Sequence, residues 1–301
     1  MEKKIDYYKV RRNTAKVLYS ILRLVIIFGL GFIILKPIIG KIMLSIMSPS
    51  DLFDNTVSLI SKSPSFFYWK KALECMYLPD SFINTLVLSF TIAIIQTISC
   101  TLIGYGLARF KFRGRNLAFA FVIIILLVPY QVISIAQYQS FINISFGPFQ
   151  FVDTFWPLYI LAFTGLGVKE GLYIYLMREN FKSLSVTLEE AAYIDGASVF
   201  KTFISVMVPN VRTMIVTIFM FSFCWQWADD IYSSLYLMDT KVLATAMTQV
   251  VVKNGVFADN MGTMMANCAA NLFVAIPLIG LFALCQNFFV KSISQSGLSS
   301  S

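Results

Sequence analysis

Between Phe223 and Tyr232 the sequence reads FCWQWADDIY, inside a stretch that is otherwise apolar. Trp225, Gln226, Trp227, Asp229 and Asp230 could bind a polyhydroxylated solute. An indole face stacks on the C–H face of a sugar ring, and amides and carboxylates bond its hydroxyls. Gln131, Asn267 and Asn271 add polar groups to other apolar stretches, as do Gln96 and Gln137. Asn267 and Asn271 are four apart and share one helix face. Intramembrane polar groups are costly unless partnered, so they mark a solute pathway or bonds between helices. Residue types leave both readings open. Lys169-Glu170 is open too, as a local ion pair at a bend or as a pair facing a central cavity.

Other chemistries are absent from the sequence. There is no His, which removes the commonest general acid/base and metal ligand. Cys75, Cys100, Cys224, Cys268 and Cys285 have no metal-ligand spacing. They read as small core residues without a disulfide framework. No metal site and no catalytic constellation are predicted, so the chain is not expected to be an enzyme. The pattern Gly-x4-Gly-Lys-Ser/Thr does not occur, so no nucleotide or other cofactor is expected on this chain. GLGVKEG (165–171) has too few matches for a dinucleotide fingerprint. Its small residues read as permitting close helix packing.

The elements that must carry these residues are membrane spans. Of 301 residues, 57% are hydrophobic and 13% charged, against about a quarter charged in a soluble domain. Ser81–Ala108 and Asn116–Val152 hold no charged residue, and about 20 apolar residues cross a bilayer. The fold class is an all-α polytopic membrane protein. Six spans are predicted, over about 18–46, 82–108, 117–141, 155–177, 211–236 and 265–290. The basic start MEKKIDYYKVRRNTAK resembles a signal peptide, but the apolar run continues past Lys36-Pro37 without a small-residue cleavage site. It reads as an uncleaved first span, with Arg23, Lys36 and Lys41 reaching headgroups and a kink at Pro37.

Lys and Arg set the orientation. With the N-terminus inside, the inner segments carry six (1–20), four (109–115), four (178–212) and one (291–301), and the outer ones three (48–81), none (142–154) and two (237–264). Both termini are therefore expected in the cytoplasm. The net charge of +8 is a topology signal and not a nucleic-acid footprint. The resulting organisation is a basic cytoplasmic N-terminus (1–17), a first span (18–46) and an external loop (47–81). A transmembrane core (82–290) with a cytoplasmic loop (178–210) follows, then a cytoplasmic tail (291–301). In the external loop SPSFFYWKKALE reads either as an interfacial helix with an aromatic belt or as a docking surface for an external partner.

TLEEAAYIDGASVFKTFISVMVPN (187–210) lies on the cytoplasmic side in this scheme. Thr187 and Glu190 have capping-box spacing. Gly196 can end the first short helix in a left-handed turn. A second helix is expected from about Ser198 to Met207, stopped by Val208-Pro209. Phe200, Phe203, Ile204 and Met207 give it an apolar face. Local physics leaves two fates open: lying on lipid, or docking in a protein groove.

This segment resembles the signature loop of permease subunits of binding-protein-dependent ABC importers. That signature is EAA, three residues, Gly, nine residues, then Ile-x-Leu-Pro. Glu190, Ala191, Ala192, Gly196 and Pro209 match, with Val206 and Val208 at the Ile and Leu positions. GYGLARFKFRGRN (104–116), YLMRENFKSLSVTLEEAAYIDG, WQWADD (225–230) and IPLIGLFALCQNFFVKSISQSG are similar to segments of carbohydrate importers of the maltose-permease type. The resemblance covers roughly 80–297. Ser185 stands where relatives have a proline, and Ala228 where they have an asparagine.

The resemblance implies a permease half that forms a pathway with a second permease subunit. Two cytoplasmic ATPases would consume the ATP, and an extracytoplasmic solute-binding protein would deliver a sugar or oligosaccharide. The location would be the bacterial cytoplasmic membrane. It assigns ATPase coupling to Glu189, Glu190, Ala191, Ala192, Asp195, Gly196, Ala197, Phe200, Phe203 and Pro209. Another solute, such as an amino acid, peptide or ion, is compatible with the same signature. A secondary carrier would need a coupling-ion site, usually built from inverted repeats, and no convincing repeat is found.

Overall fold

The computed structural model describes residues 7–51, 54, 57, 60–143, 145–146, 149–252 and 260–298. Of the predicted tails, residues 1–6 and 299–301 lie outside the described residues. The chain divides into two compact units, Met1–Ala72 with Asn254–Leu272, and Leu73–Lys253 with Phe273–Ser301.

In the first unit α1 (Tyr7–Ser45) runs the length of the first predicted span, with Pro37 inside it. From Val17 to Ile39 its large apolar side chains are exposed, as lipid or another apolar surface requires. After α1, Asp51 accepts hydrogen bonds from Ser61 Oγ and Ser63 Oγ. The Ser61 bond, with others from Ser63 and Ser48, holds its carboxyl below the usual range. The unit also contains the first part of α14 (Asn260–Leu298). There Asn271 Nδ2 donates to Asn267 O at 2.7 Å. Asn267 and Asn271 are four apart on one helix as predicted, and one N–H of the Asn271 amide is taken up by that helix's own backbone.

The second unit is built around α3 (Asp80–Arg109). Buried Leu88, Ile92, Ala93, Cys100 and Tyr105 line it. α3 packs on α6 (Trp156–Thr164), α7 (Glu170–Ser183) and α11 (Arg212–Trp227). α4 (Arg115–Leu127) packs on α7, and α5 (Tyr130–Ile142) on α12 (Ile231–Tyr236). α2 (Phe67–Cys75) lies in the predicted external loop, and α13 (Leu243–Val252) falls where no helix was expected. A two-residue antiparallel ladder, Ser145–Phe146 with Phe149–Gln150, is present between α5 and α6.

Among the described residues three helices are long and apolar enough to cross a membrane whole: Lys16–Ser45, Asp80–Arg109 and Met261–Gln286. The other predicted spans are broken. The 117–141 segment bends by 108° between α4 and α5, because Pro129 forces Val128 into an extended conformation. The 155–177 segment is split between Thr164 and Glu170. The 211–236 segment is split after Trp227. Hydropathy counts apolar residues along the chain and cannot see such bends.

The gap between α6 and α7 is closed by side chains. Glu170 is fully buried. Its Oε2 accepts the Gly167 N–H at 2.7 Å, and Cys100 Sγ approaches Oε1. Gln96 donates to Val168 O at 3.3 Å and accepts from Ser222 Oγ. A Cβ at Gly167 would overlap Gln96 Nε2 and lie 2.7 Å from Glu170 Oε2. Gly167 is therefore required by close approach, in line with the packing reading of GLGVKEG. Lys169 and Glu170 do not pair with each other.

Candidate functional site: the 187–210 loop and the cavity at the helix breaks

α8 spans Thr187–Ile194. The predicted capping box is not formed. Val186 is the cap residue and makes no side-chain cap bond. Ser185 Oγ instead accepts the Thr187 N–H at 3.3 Å and bonds Thr187 Oγ1 at 2.7 Å. The helix begins one residue earlier than the spacing suggests, and Glu190 is exposed and does not reach back.

The C-terminal end follows the sequence. Gly196 adopts φ +80°. Its N–H bonds Tyr193 O at 3.0 Å, and Ala197 N–H bonds Ala192 O at 2.9 Å. This doubly bonded left-handed turn satisfies the last carbonyls of α8. Ser198 Oγ accepts the Lys201 N–H and caps α9 (Val199–Thr202).

Beyond α9 the helix widens into a π turn over Phe203–Met207, where Val208 N–H reaches back to Phe203 O. The helix does not stop at Val208-Pro209 as predicted. A short α10 (Val208–Asn210) carries Pro209 in its first turn, where a missing N–H costs nothing. The chain then bends by 77° into α11.

The loop has two sides. Glu189, Ala192, Thr202, Phe203 and Met207 are buried. Phe203 packs on Tyr105 at 4.7 Å and on Phe181 at 6.4 Å between ring centroids. Tyr105 Oη donates to Glu189 Oε1 at 2.9 Å, and Arg109 Nε lies 3.4 Å from Glu189 Oε2. Arg109 Nη2 also donates to Leu184 O at 2.8 Å. On the other side Glu190, Ala191, Asp195, Gly196 and Pro209 are exposed and Ala197 is partly so. Ile194 is 86% and Phe200 71% exposed, far more than apolar residues in a finished core. Of the coupling set, then, Glu189, Ala192 and Phe203 face the chain's own core. They are a base for the loop and not a contact surface. The single apolar face predicted for Phe200, Phe203, Ile204 and Met207 is divided: Phe203 and Met207 are buried, Phe200 and Ile204 exposed.

A cavity of about 330 Å³ lies where the two helix breaks meet, lined in part by Pro129, Tyr130, Gln131, Gln137, Lys169 and Tyr232. Tyr130 and Tyr232 stack with centroids 6.1 Å apart. Tyr232 Oη donates to Gln137 Oε1 at 2.7 Å, and Gln137 Nε2 donates to Leu166 O. Lys169 Nζ lies 5.2 Å from the Tyr130 ring centroid and 4.8 Å from that of Trp225.

The predicted pathway residues therefore separate. Gln131 lines the cavity, and half-exposed Trp225 shares Lys169 with it. Trp227 is fully buried; it stacks on Phe223, meets Phe82 edge-on, and its Nε1 donates to Val274 O at 3.0 Å. It is no platform for a solute. At about 100° per residue, two tryptophans two apart face nearly opposite ways. Gln226 is buried with Nε2 unpartnered. Asp229 is buried and accepts the Ser233 N–H at 3.0 Å, which starts α12. Asp230 is exposed, in a separate groove with Ser234 and Lys241. Among the described residues no His/Cys/Asp/Glu group could hold a metal ion.

Sequence reasoning missed Tyr130, Tyr232 and the Tyr105–Arg109 pair. A signal existed for one of them: Tyr130 follows a proline inside an apolar run.

Comparison with known proteins gives concordant results. The family model described as "Binding-protein-dependent transport system inner membrane component" matches residues 100–295. The osmoprotective compounds uptake permease protein GgtD of Synechocystis is 30% identical over 71% of this chain and 68% of its own. The melibiose/raffinose/stachyose import permease protein MelC of Bacillus subtilis is 27% identical over 78% and 81%. The maltodextrin transport system permease protein MalD of Streptococcus pneumoniae is 27% identical over 72% and 73%. The fold matches a chain of a bacterial ABC transporter involved in the import of the acidic polysaccharide alginate. That match has a TM-score of 0.72 at 19% identity and covers 91% of this chain and 98% of that one.

Proposed function

The chain belongs to the family of binding-protein-dependent transport system inner membrane components, and from that premise we propose that it forms half of the translocation pathway of an ATP-driven saccharide importer. It is a multi-pass membrane permease of the ABC importer class, not an ATPase. Its partners in this reading are a second permease subunit, two cytoplasmic ATPases and an extracytoplasmic binding protein, with both termini in the cytoplasm.

The observation that carries the reading is the two-sided loop. Its base is locked into the core by Glu189, Phe203 and Met207, while Ile194 and Phe200 stand exposed with no cover among the described residues. A rigid base under an apolar rim is what a helix-in-groove contact needs. ATP-driven closure of the ATPases would move the rim, and the base would pass that motion to α3 and α7. Import of melibiose, raffinose and stachyose by MelC and of maltodextrin by MalD, as their names state, supports a saccharide as solute.

The test is co-purification of the ATPase with the permease. Phe200→Ala and Gly196→Val should lose the ATPase while keeping the partner permease. Retention of the ATPase by both variants would remove the basis for coupling through this loop.

A further inference from the structure

We infer that the cavity at the two helix breaks is a subsite for an anionic saccharide, a sugar bearing a carboxylate, with Lys169 as its recognition cation. The inference rests on the saccharide-import reading and narrows it to a class.

Lys169 holds φ 59°, a backbone region that lysine seldom adopts. Its ammonium sits near the faces of Tyr130 and Trp225. Two π faces hold a cation in place, but they leave its charge uncancelled. Among the described residues no carboxylate pairs with it. The neighbouring acids are already engaged in hydrogen bonds or line another groove. Glu170, itself part of the cavity wall, takes the Gly167 N–H, Asp229 takes the Ser233 N–H, and Asp230 lines the separate groove, though both aspartates act electrostatically on Tyr130. An unpaired cation within an apolar span is costly and points to function.

The cavity fits such an occupant. Its 330 Å³ is at the low end of the roughly 300 to 1,000 Å³ usual for small-molecule sites. Both breaks of the helical backbone line it, and non-helical backbone at membrane depth is tolerated where it borders a water-filled cavity. The stacked Tyr130–Tyr232 pair offers an aromatic face, and exposed Gln131 offers an amide. These would serve any sugar. Lys169 adds a demand for negative charge, reinforced by the first turns of α5 and α7, which also border the cavity.

The test uses the whole importer, purified with its partner permease and ATPases. Binding of digalacturonate and of its uncharged dimethyl ester is followed by tryptophan fluorescence without the external protein. Uptake of uronate and neutral oligosaccharides is measured in vesicles with that protein present. The wild type should bind the acid about tenfold or more tighter than the ester, the range of a charge-assisted bond. Lys169→Gln should remove that preference, bringing acid and ester to about equal affinity, and Lys169→Arg should keep it. Equal binding of acid and ester by the wild type, or an unchanged preference in Lys169→Gln, overturns the inference. Uptake of neutral oligosaccharides in those same vesicles would leave the import reading standing. Absence of any saccharide uptake would bring down both.

Discussion

Tyr105 donates its hydroxyl proton to Glu189 at 2.9 Å, and so joins the end of α3 to the first turn of α8. Arg109, one helical turn further along α3, meets the other carboxylate oxygen and also binds Leu184 O at the end of α7. Two side chains of α3 therefore hold one buried carboxylate of α8, and Arg109 ties the end of α7 to the same point. Motion of α8 has a direct path to the helix around which the unit is built.

This separates two adjacent glutamates. Glu189→Ala leaves Arg109, whose side chain is 9% exposed, without its partner, and breaking a buried pair costs about 3 to 5 kcal/mol. Glu190→Ala removes an exposed group and should change stability by no more than about 0.5 kcal/mol. In thermal unfolding of the detergent-purified protein the first variant should melt markedly lower and the second should match wild type. ATPase co-purification should fall in both. Tyr105→Phe should destabilise by about 1 to 3 kcal/mol, as the carboxylate loses a donor.

Gly196 gives a purely conformational prediction. No atom lies within 4 Å of a Cβ built there, so space is not the constraint. The constraint is φ +80°, which costs a side-chain-bearing residue about 1 to 2 kcal/mol. Valine, β-branched, fits worst. Gly196→Val should insert in the membrane at wild-type levels and lose uptake, whereas Gly196→Asn should keep part of it, since Asn tolerates the left-handed turn. Quantitative blotting of membranes alongside solute uptake separates the two effects. Wild-type uptake in Gly196→Val would sink the coupling reading.

These contrasts mark where sequence reasoning was sufficient. The turn at Gly196 was legible because glycine at that spacing has a local cause. Long spans over α1, α3 and α14 were legible because apolar length has one meaning in lipid. The breaks near Pro129 and Gly167 were not, since hydropathy is unchanged by a bend. Nor was the inward turn of Glu189 and Phe203, which depends on Tyr105 and Arg109, some 80 residues away. The side chains that a buried network selects are invisible to local spacing. Lys169-Glu170 stood out as charged residues in an apolar stretch, but their divergence into cavity and core required three dimensions.

Phe200 and Phe203 are three apart in sequence and differ in exposure, at 71% and 6%. Phe203→Ala opens a hole beside Tyr105 and Phe181, and such truncations cost about 3 to 5 kcal/mol. Phe200→Ala removes little from the folded chain. The expected pattern is a lowered melting temperature for Phe203→Ala and an unchanged one for Phe200→Ala, with the ATPase lost from Phe200→Ala. A melting temperature lowered equally by both would mean that Phe200 is covered by this chain itself.

The tryptophans of WQWADD should divide in the same way, for a different reason. Trp227 fills the core and its indole N–H satisfies Val274 O. Trp227→Ala therefore loses packing and the bond to Val274 O, a loss of about 3 to 5 kcal/mol. Trp225 is 44% exposed and touches the Lys169 ammonium. Trp225→Ala should leave the melting temperature within a few degrees of wild type. Its effect should fall on transport, as a raised KM with the maximal rate retained, because an exposed ring beside a cavity contributes to holding the solute and not to moving the helices. Uptake kinetics across a range of solute concentrations distinguish the cases. A fall in maximal rate with KM unchanged would move Trp225 from the solute site to the machinery of the conformational change.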